Sequence, residues 1–206
     1  MTEKTIKAVV FDMDGVLCHY DLDRRLAILS YWSGRTSEEI HAAVFASGFE
    51  ELAERGQLSA QDYLDGFSER IGYRLTRAQW AQARREAIEP HWLPFAAVES
   101  LSGRYVTAML TNNGYLLKEL LGEVFPQAST AFGQRAFFSA ELGARKPEPE
   151  VYRRLCSQIG LEPTEVAYLD DDPEYVRSAS STGLQAAHVE DPGRISSVIA
   201  QLGLEV

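Results

Sequence analysis

Short apolar runs recur along the 206-residue chain, and in its later part they alternate with helical patterns. This alternation restricts the fold more than any other feature. The first run, Ile6-Lys7-Ala8-Val9-Val10-Phe11, is β-branched and nearly continuous in apolar character, as a parallel strand covered on both faces should be, and it ends on Asp12. Further candidate strands are Tyr105 to Leu110, Ala136 to Ser139, Val166 to Leu169 and Gln185 to Val189. Helical patterns occupy Tyr115 to Val124, Pro149 to Ile159, Pro173 to Thr182 and Arg194 to Leu202, with Gly160 and Gly183 where helices stop.

This succession implies crossover connections and a doubly wound parallel sheet, a Rossmann-like α/β core. From Leu22 to Ile88 the pattern is helical alone. Thr36 with Glu39 and Thr76 with Gln79 have the spacing of capping boxes, and Ser59 with Asp62 is a related start. Tyr63, Phe67 and Ile71 form one apolar stripe. The expected organisation is a core of residues 1–17 and 93–206 with an inserted helical cap at 18–92, whose exit Pro90 and Pro94 bracket against continued helix.

A formal net charge of -10 without any basic block argues against nucleic acid, which takes its affinity from clustered Lys and Arg. The run Ile6 to Phe11 is too short for a signal-peptide core or a membrane span, so a cytoplasmic protein is expected. Cys18 and Cys156, the only cysteines, make neither a disulfide framework nor a metal cluster.

Four polar clusters follow four of the candidate strands. Asp12-Met13-Asp14-Gly15 puts two carboxylates on one side of extended backbone, although such a motif alone also describes a solvated turn. Thr111-Asn112-Asn113-Gly114 offers a hydroxyl and amides before a helix, suited to phosphate oxygens or to simple capping. Arg145-Lys146-Pro147 places a lysine in a stiffened loop, which is also a common helix entry. Asp170-Asp171-Asp172 gathers three anions that a hard cation such as Mg²⁺ would relieve, or that a helix dipole would steady. All four lie at the carboxyl ends of strands, where an open α/β sheet has its ligand crevice.

In this order the motifs, from Asp12 to Gly183, resemble the haloacid-dehalogenase-like superfamily of phosphatases and phosphotransferases, in the branch with a small helical cap. The resemblance implies a magnesium-dependent phosphatase of a small phosphorylated metabolite, closest in look to sugar-phosphate phosphatases. It makes Asp12 nucleophile and metal ligand, and Asp14 the general acid/base whose carbonyl also meets the metal. Thr111, Asn112 and Lys146 would bind the phosphoryl group, Asp171 would complete the metal site, and Asp170 would support it. Tyr175 stands where relatives commonly carry Asn or Asp, so Glu174 or Asp172 would have to assist the metal.

Other candidates have plainer readings. His19, Tyr20 and Arg24 suit a hydrated hinge, and Cys18 suits packing. Trp32, Trp80 and Trp92 suit core or cap-interface positions, while His41, His91 and His188 lack ligand spacing. The alternatives to hydrolysis are a phosphomutase or a non-catalytic binding module that keeps the pocket. No feature of the sequence fixes an oligomeric state.

Overall fold

The computed structural model describes residues 5–205; residues 1–4 and 206, the outer ends of the expected core domain, lie outside the described residues. Strand β1, Ala8–Phe11, is the centre of a five-stranded parallel sheet. Two short strands outside that sheet, β2 (Cys18–Tyr20) and β3 (Ile88–Pro90), pair with each other antiparallel. The remaining strands are β4 (Val106–Thr111), β5 (Ala136–Phe138), β6 (Val166–Asp170) and β7 (Gln185–His188). The sheet order β5-β4-β1-β6-β7 reverses direction at β1, so the crevice opens between the tips of β1, β4 and β6.

The two-residue period of the strands divides the core. Val9, Phe11, Met109, Ala167 and Leu169 face one layer, whose helices include Trp92–Leu101 and Tyr115–Val124. Ala8, Val10, Ala108, Leu110, Val166 and Tyr168 face the other, with Val151, Tyr152 and Leu155 of the helix Pro149–Ile159. Every residue of β1 is buried, which is why it reads as an apolar run rather than an alternation.

Between β2 and β3 lie the helices of the cap: Leu22–Ser33, Ser37–Ile40 leading into a π turn at His41–Phe45, Phe49–Glu54, Ala60–Ile71 and Arg77–Glu86. Thr36 with Glu39 and Thr76 with Gln79 form reciprocal capping boxes, and Ser59 accepts from the Asp62 amide. The β2–β3 ribbon, His19 opposite Glu89, was hidden from sequence by its shortness.

Two helices also differ from expectation. Pro94 does not bracket a helix but sits in the first turn of Trp92–Leu101, and Pro126 opens Pro126–Phe132. First-turn amides have no intrahelical acceptor, so proline costs little there. Trp80 is buried in the cap and Trp32 packs against the core, but Trp92 is 66% exposed. No helix among the described residues is long and apolar enough to cross a membrane.

Candidate active site

Asp12 continues the ladder of β1, its amide donating to Leu169 O at 2.9 Å, and its side chain is buried where the three central strands end. Lys146 reaches the same point from its loop and is 1% exposed. Its Nζ lies 2.6 Å from Asp12 Oδ1 and 2.8 Å from Asp170 Oδ2, one ammonium held between two carboxylates. Burial opposes the lysine charge, but Asp12 and Asp170 outweigh it and push the lysine pKa up. Burial likewise pushes Asp12 up, against the pull of Lys146 and with the push of Asp170 and Asp14.

Asp170 ends β6 wholly buried, accepting from Lys146, from the Tyr168 hydroxyl and, at 2.8 Å, from the Asp172 amide. Asp171 is raised by burial and by Asp170. One oxygen each from Asp12, Asp170 and Asp171 lie within 4.8 Å of one another. Asp170 therefore lies within the carboxylate group while it also holds Lys146. Asp172 caps the next helix by accepting from the Glu174 amide at 2.7 Å, and Tyr175 lays its ring 4.9 Å from Lys146 Nζ. Three carboxylates with oxygen donors alone suit a small hard cation such as Mg²⁺, which would offset their repulsion.

Gly15 makes this approach possible. Its φ is +92°, and a Cβ there would sit 2.2 Å from Asp171 Oδ2. Gly15→Ala is therefore expected to cost about 1–2 kcal/mol from the backbone alone. By displacing Asp171 it should also weaken Mg²⁺ binding about 10-fold or more. Denaturant unfolding and calorimetric titration with Mg²⁺ check the two parts separately.

Thr111 ends β4, buried, and its Oγ1 accepts from Asn113 Nδ2 at 2.7 Å. Asn112 is placed differently from expectation: its side chain accepts from Lys146 N at 2.8 Å and donates to Lys146 O at 3.0 Å. Both ends of that amide fasten the lysine loop, and its second Nδ2 hydrogen is left to donate elsewhere.

The side chain of Asp14 is turned to the cap, where Arg84 Nη2 lies 2.7 Å from Oδ2, and it does not join the three-carboxylate group. Only its carbonyl is left for the expected metal contact. Arg84 is buried, and its guanidinium lies 3.7 Å over the Tyr20 ring. Sequence reasoning passed over Arg84. The signal was its place four residues after Trp80, on the buried stripe of its helix, where a solvated arginine does not belong. Tyr20 is thus a built contact of the ribbon, while Cys18 is packed and its thiol is pushed up by burial.

The cap stands closed over these groups. Arg145 Nε lies 2.6 Å from Glu54 Oε2, and Arg55 Nη2 lies 2.6 Å from Glu148 Oε1. A Cβ on Gly56 of the cap would meet Ala140 O at 2.2 Å. The groove of about 590 Å³ beside Trp92 and Phe95 shares no lining residue with the carboxylate site.

A family model of haloacid dehalogenase-like hydrolases matches residues 6–183. The chain belongs to that family. Among its relatives, phosphatase MT3486 of Mycobacterium tuberculosis is 24% identical over 198 residues, spanning 92% of this chain and 90% of that protein. Flavin mononucleotide hydrolase 1 of Arabidopsis thaliana is 30% identical over 77 residues, only 37% of this chain and 31% of that one. A family enzyme of Bacteroides thetaiotaomicron, solved with magnesium and inorganic phosphate, superposes with a TM-score of 0.73 at 20% identity, over 89% of this chain and 93% of that one. At that identity the likeness speaks for the fold.

Proposed function

We propose that this chain is a magnesium-dependent phosphatase that hydrolyses a small phosphorylated metabolite through an aspartyl-phosphate on Asp12. The observation that carries the reading is the ammonium of Lys146 clasped by Asp12 and Asp170 beside Asp171. A carboxylate nucleophile and a phosphate dianion repel, and this is the arrangement that answers the repulsion. When bound by Asp12, Asp170 and Asp171, Mg²⁺ would supply positive charge toward the phosphoryl oxygens.

Two steps follow for the chain's own residues. An Asp12 carboxylate oxygen attacks phosphorus, the ester P–O bond breaks, and the leaving oxygen takes a proton from Asp14. Asp14 then accepts a proton from water as that water attacks phosphorus, which releases phosphate and returns Asp12. Thr111 Oγ1 and Lys146 Nζ hold the phosphoryl group meanwhile. Arg84 must release or share Asp14 for that carboxyl to meet the leaving oxygen, since the guanidinium holds its Oδ2 at 2.7 Å. Substrate entering under the cap is the event that would part them.

Phosphate release from a panel of phosphorylated metabolites with Mg²⁺, repeated after chelation, tests the reading. Release is expected with Mg²⁺ and a fall to background without it, restored on adding the ion back. Isomerised product without net phosphate release would point instead to a phosphomutase, and no turnover together with tight binding of a protein would point to a non-catalytic module.

A further inference from the structure

The chain enters the cap through β2 and leaves it through β3, and one charged pair is built on that crossing. Arg84 stands in the last turn of the helix Arg77–Glu86, just before Ile88, and Ile88 is the residue paired with Tyr20 across the ribbon. The register therefore sets the Tyr20 ring beside the end of that helix, and the guanidinium lies 3.7 Å over it. At its other end the ring is fixed by its hydroxyl, which accepts from Arg25 Nη1 at 3.0 Å.

Arg84 is 4% exposed, while the Asp14 side chain it reaches is 33% exposed. The two oxygens of Asp14 are held unequally. Oδ2 lies 2.7 Å from Arg84 Nη2, and Oδ1 meets the Cys18 thiol at 3.5 Å. A thiol is a weak donor, so Oδ1 is the oxygen free to exchange a proton with a substrate.

Arg84 also turns Asp14 in a useful direction. Asp12, Lys146 and Thr111 gather at the strand tips, and the cap covers them, so the leaving group of a phosphoryl ester held there extends toward the cap. Asp14 is drawn the same way. Of the two courses open to the pair, release would leave a buried guanidinium without its counter-ion, which is unfavourable. Sharing keeps Arg84 on Oδ2, while Oδ1 gives its proton to the leaving oxygen as the P–O bond breaks and takes one from the attacking water in the second step.

We propose that Arg84 is a positioning residue for the reaction: seated on Tyr20, it holds Asp14 by one oxygen so that the other meets the leaving group. This rests on the phosphatase reading above. A misplaced acid costs most where the leaving oxygen needs a proton and least where it departs unaided. The magnesium-loaded native protein, Arg84→Met and Arg84→Lys are therefore assayed on p-nitrophenyl phosphate, whose phenolate leaves unaided. They are assayed in parallel on benzyl phosphate and the alkyl phosphates of the metabolite panel, whose alkoxides do not.

Arg84→Met should lose about 100-fold in kcat/KM on the alkyl esters and less than about threefold on p-nitrophenyl phosphate. On the aryl ester kcat and KM should fall together, because the water step still needs its base. Arg84→Lys should recover part of the alkyl loss, and in Asp14→Asn the Arg84 substitution should cost nothing further, since one residue acts through the other. Equal losses of kcat/KM on aryl and alkyl esters would overturn the inference. So would an undiminished effect of Arg84→Met in Asp14→Asn, the result expected of a guanidinium that binds the leaving group directly. If Arg84→Met does not fold, the smaller split in Arg84→Lys decides. Native turnover of the aryl ester alone means that no acid serves the leaving oxygen and overturns the inference alone. No phosphate release from any of these esters with Mg²⁺ overturns the phosphatase reading and the inference with it.

Discussion

Asp12→Asn is expected to lower phosphate release by roughly 10⁴- to 10⁶-fold, the scale of losing a covalent nucleophile. The side chain keeps its shape and its burial, and Lys146 keeps Asp170 as an anionic partner, so the fold should survive. The amide lacks the carboxylate charge that attacks phosphorus. Rapid acid quench of the native protein during turnover should show a mass gain of one phosphoryl group on the peptide holding Asp12, and the variant should show none. Activity within about tenfold of native would mean that water attacks the ester directly, and the covalent step would have to be abandoned.

Lys146→Met should combine a loss of activity with a loss of stability. Removing one partner of a buried ion pair typically costs about 3–5 kcal/mol, because the remaining charges stay buried and unpaired. Here the remaining charges are Asp12 and Asp170, with Asp171 close by. The pH dependence follows from their sign. Burial and neighbouring acids already push Asp12 upward against the pull of Lys146, so removing the lysine pushes it further. A carboxyl whose folded pKa exceeds its unfolded value stabilises the fold below the unfolded pKa, and that contribution is lost as pH rises through the folded pKa. The variant should therefore regain stability on acidification and lose it toward neutral pH. Added Mg²⁺ should restore part of it at neutral pH, since the ion supplies charge to the same carboxylates. Denaturation at several pH values, with and without Mg²⁺, measures both, and a variant as stable as the native chain at neutral pH without Mg²⁺ would contradict this account of the site.

Much of the architecture was legible because its causes are local. Fully buried parallel strands must be apolar throughout, so β1, β4 and β6 announced themselves, and the acids that end β1 and β6 were visible against that background. Capping boxes at Thr36 and Thr76 were readable because donor and acceptor lie three residues apart. What stayed hidden depended on distant partners. The ribbon of β2 and β3 brings together segments separated by the whole cap, and each strand is too short to show a period. Pro94 read as a break because proline forbids a continuing helix, a rule that does not bind in the first turn where it sits.

The candidate site divides along the same line. Composition and order along the chain determined that carboxylates, a hydroxyl and a lysine would stand at strand ends, since a parallel sheet delivers its strand tips to one edge whatever the loops do. Only the tertiary structure decided how they share the work. It gave the Asn112 side chain to the Lys146 backbone and brought Asp170 into the carboxylate group. It also set Arg84 against Asp14 and buried Arg25 beneath the Tyr20 hydroxyl and the rings of Trp80, Phe45 and Phe67. The reason is physical: a residue's type and spacing limit what it is able to bind, but the partner of a buried charge is whichever group the packing of remote helices brings within a few ångströms, and no local pattern carries that information.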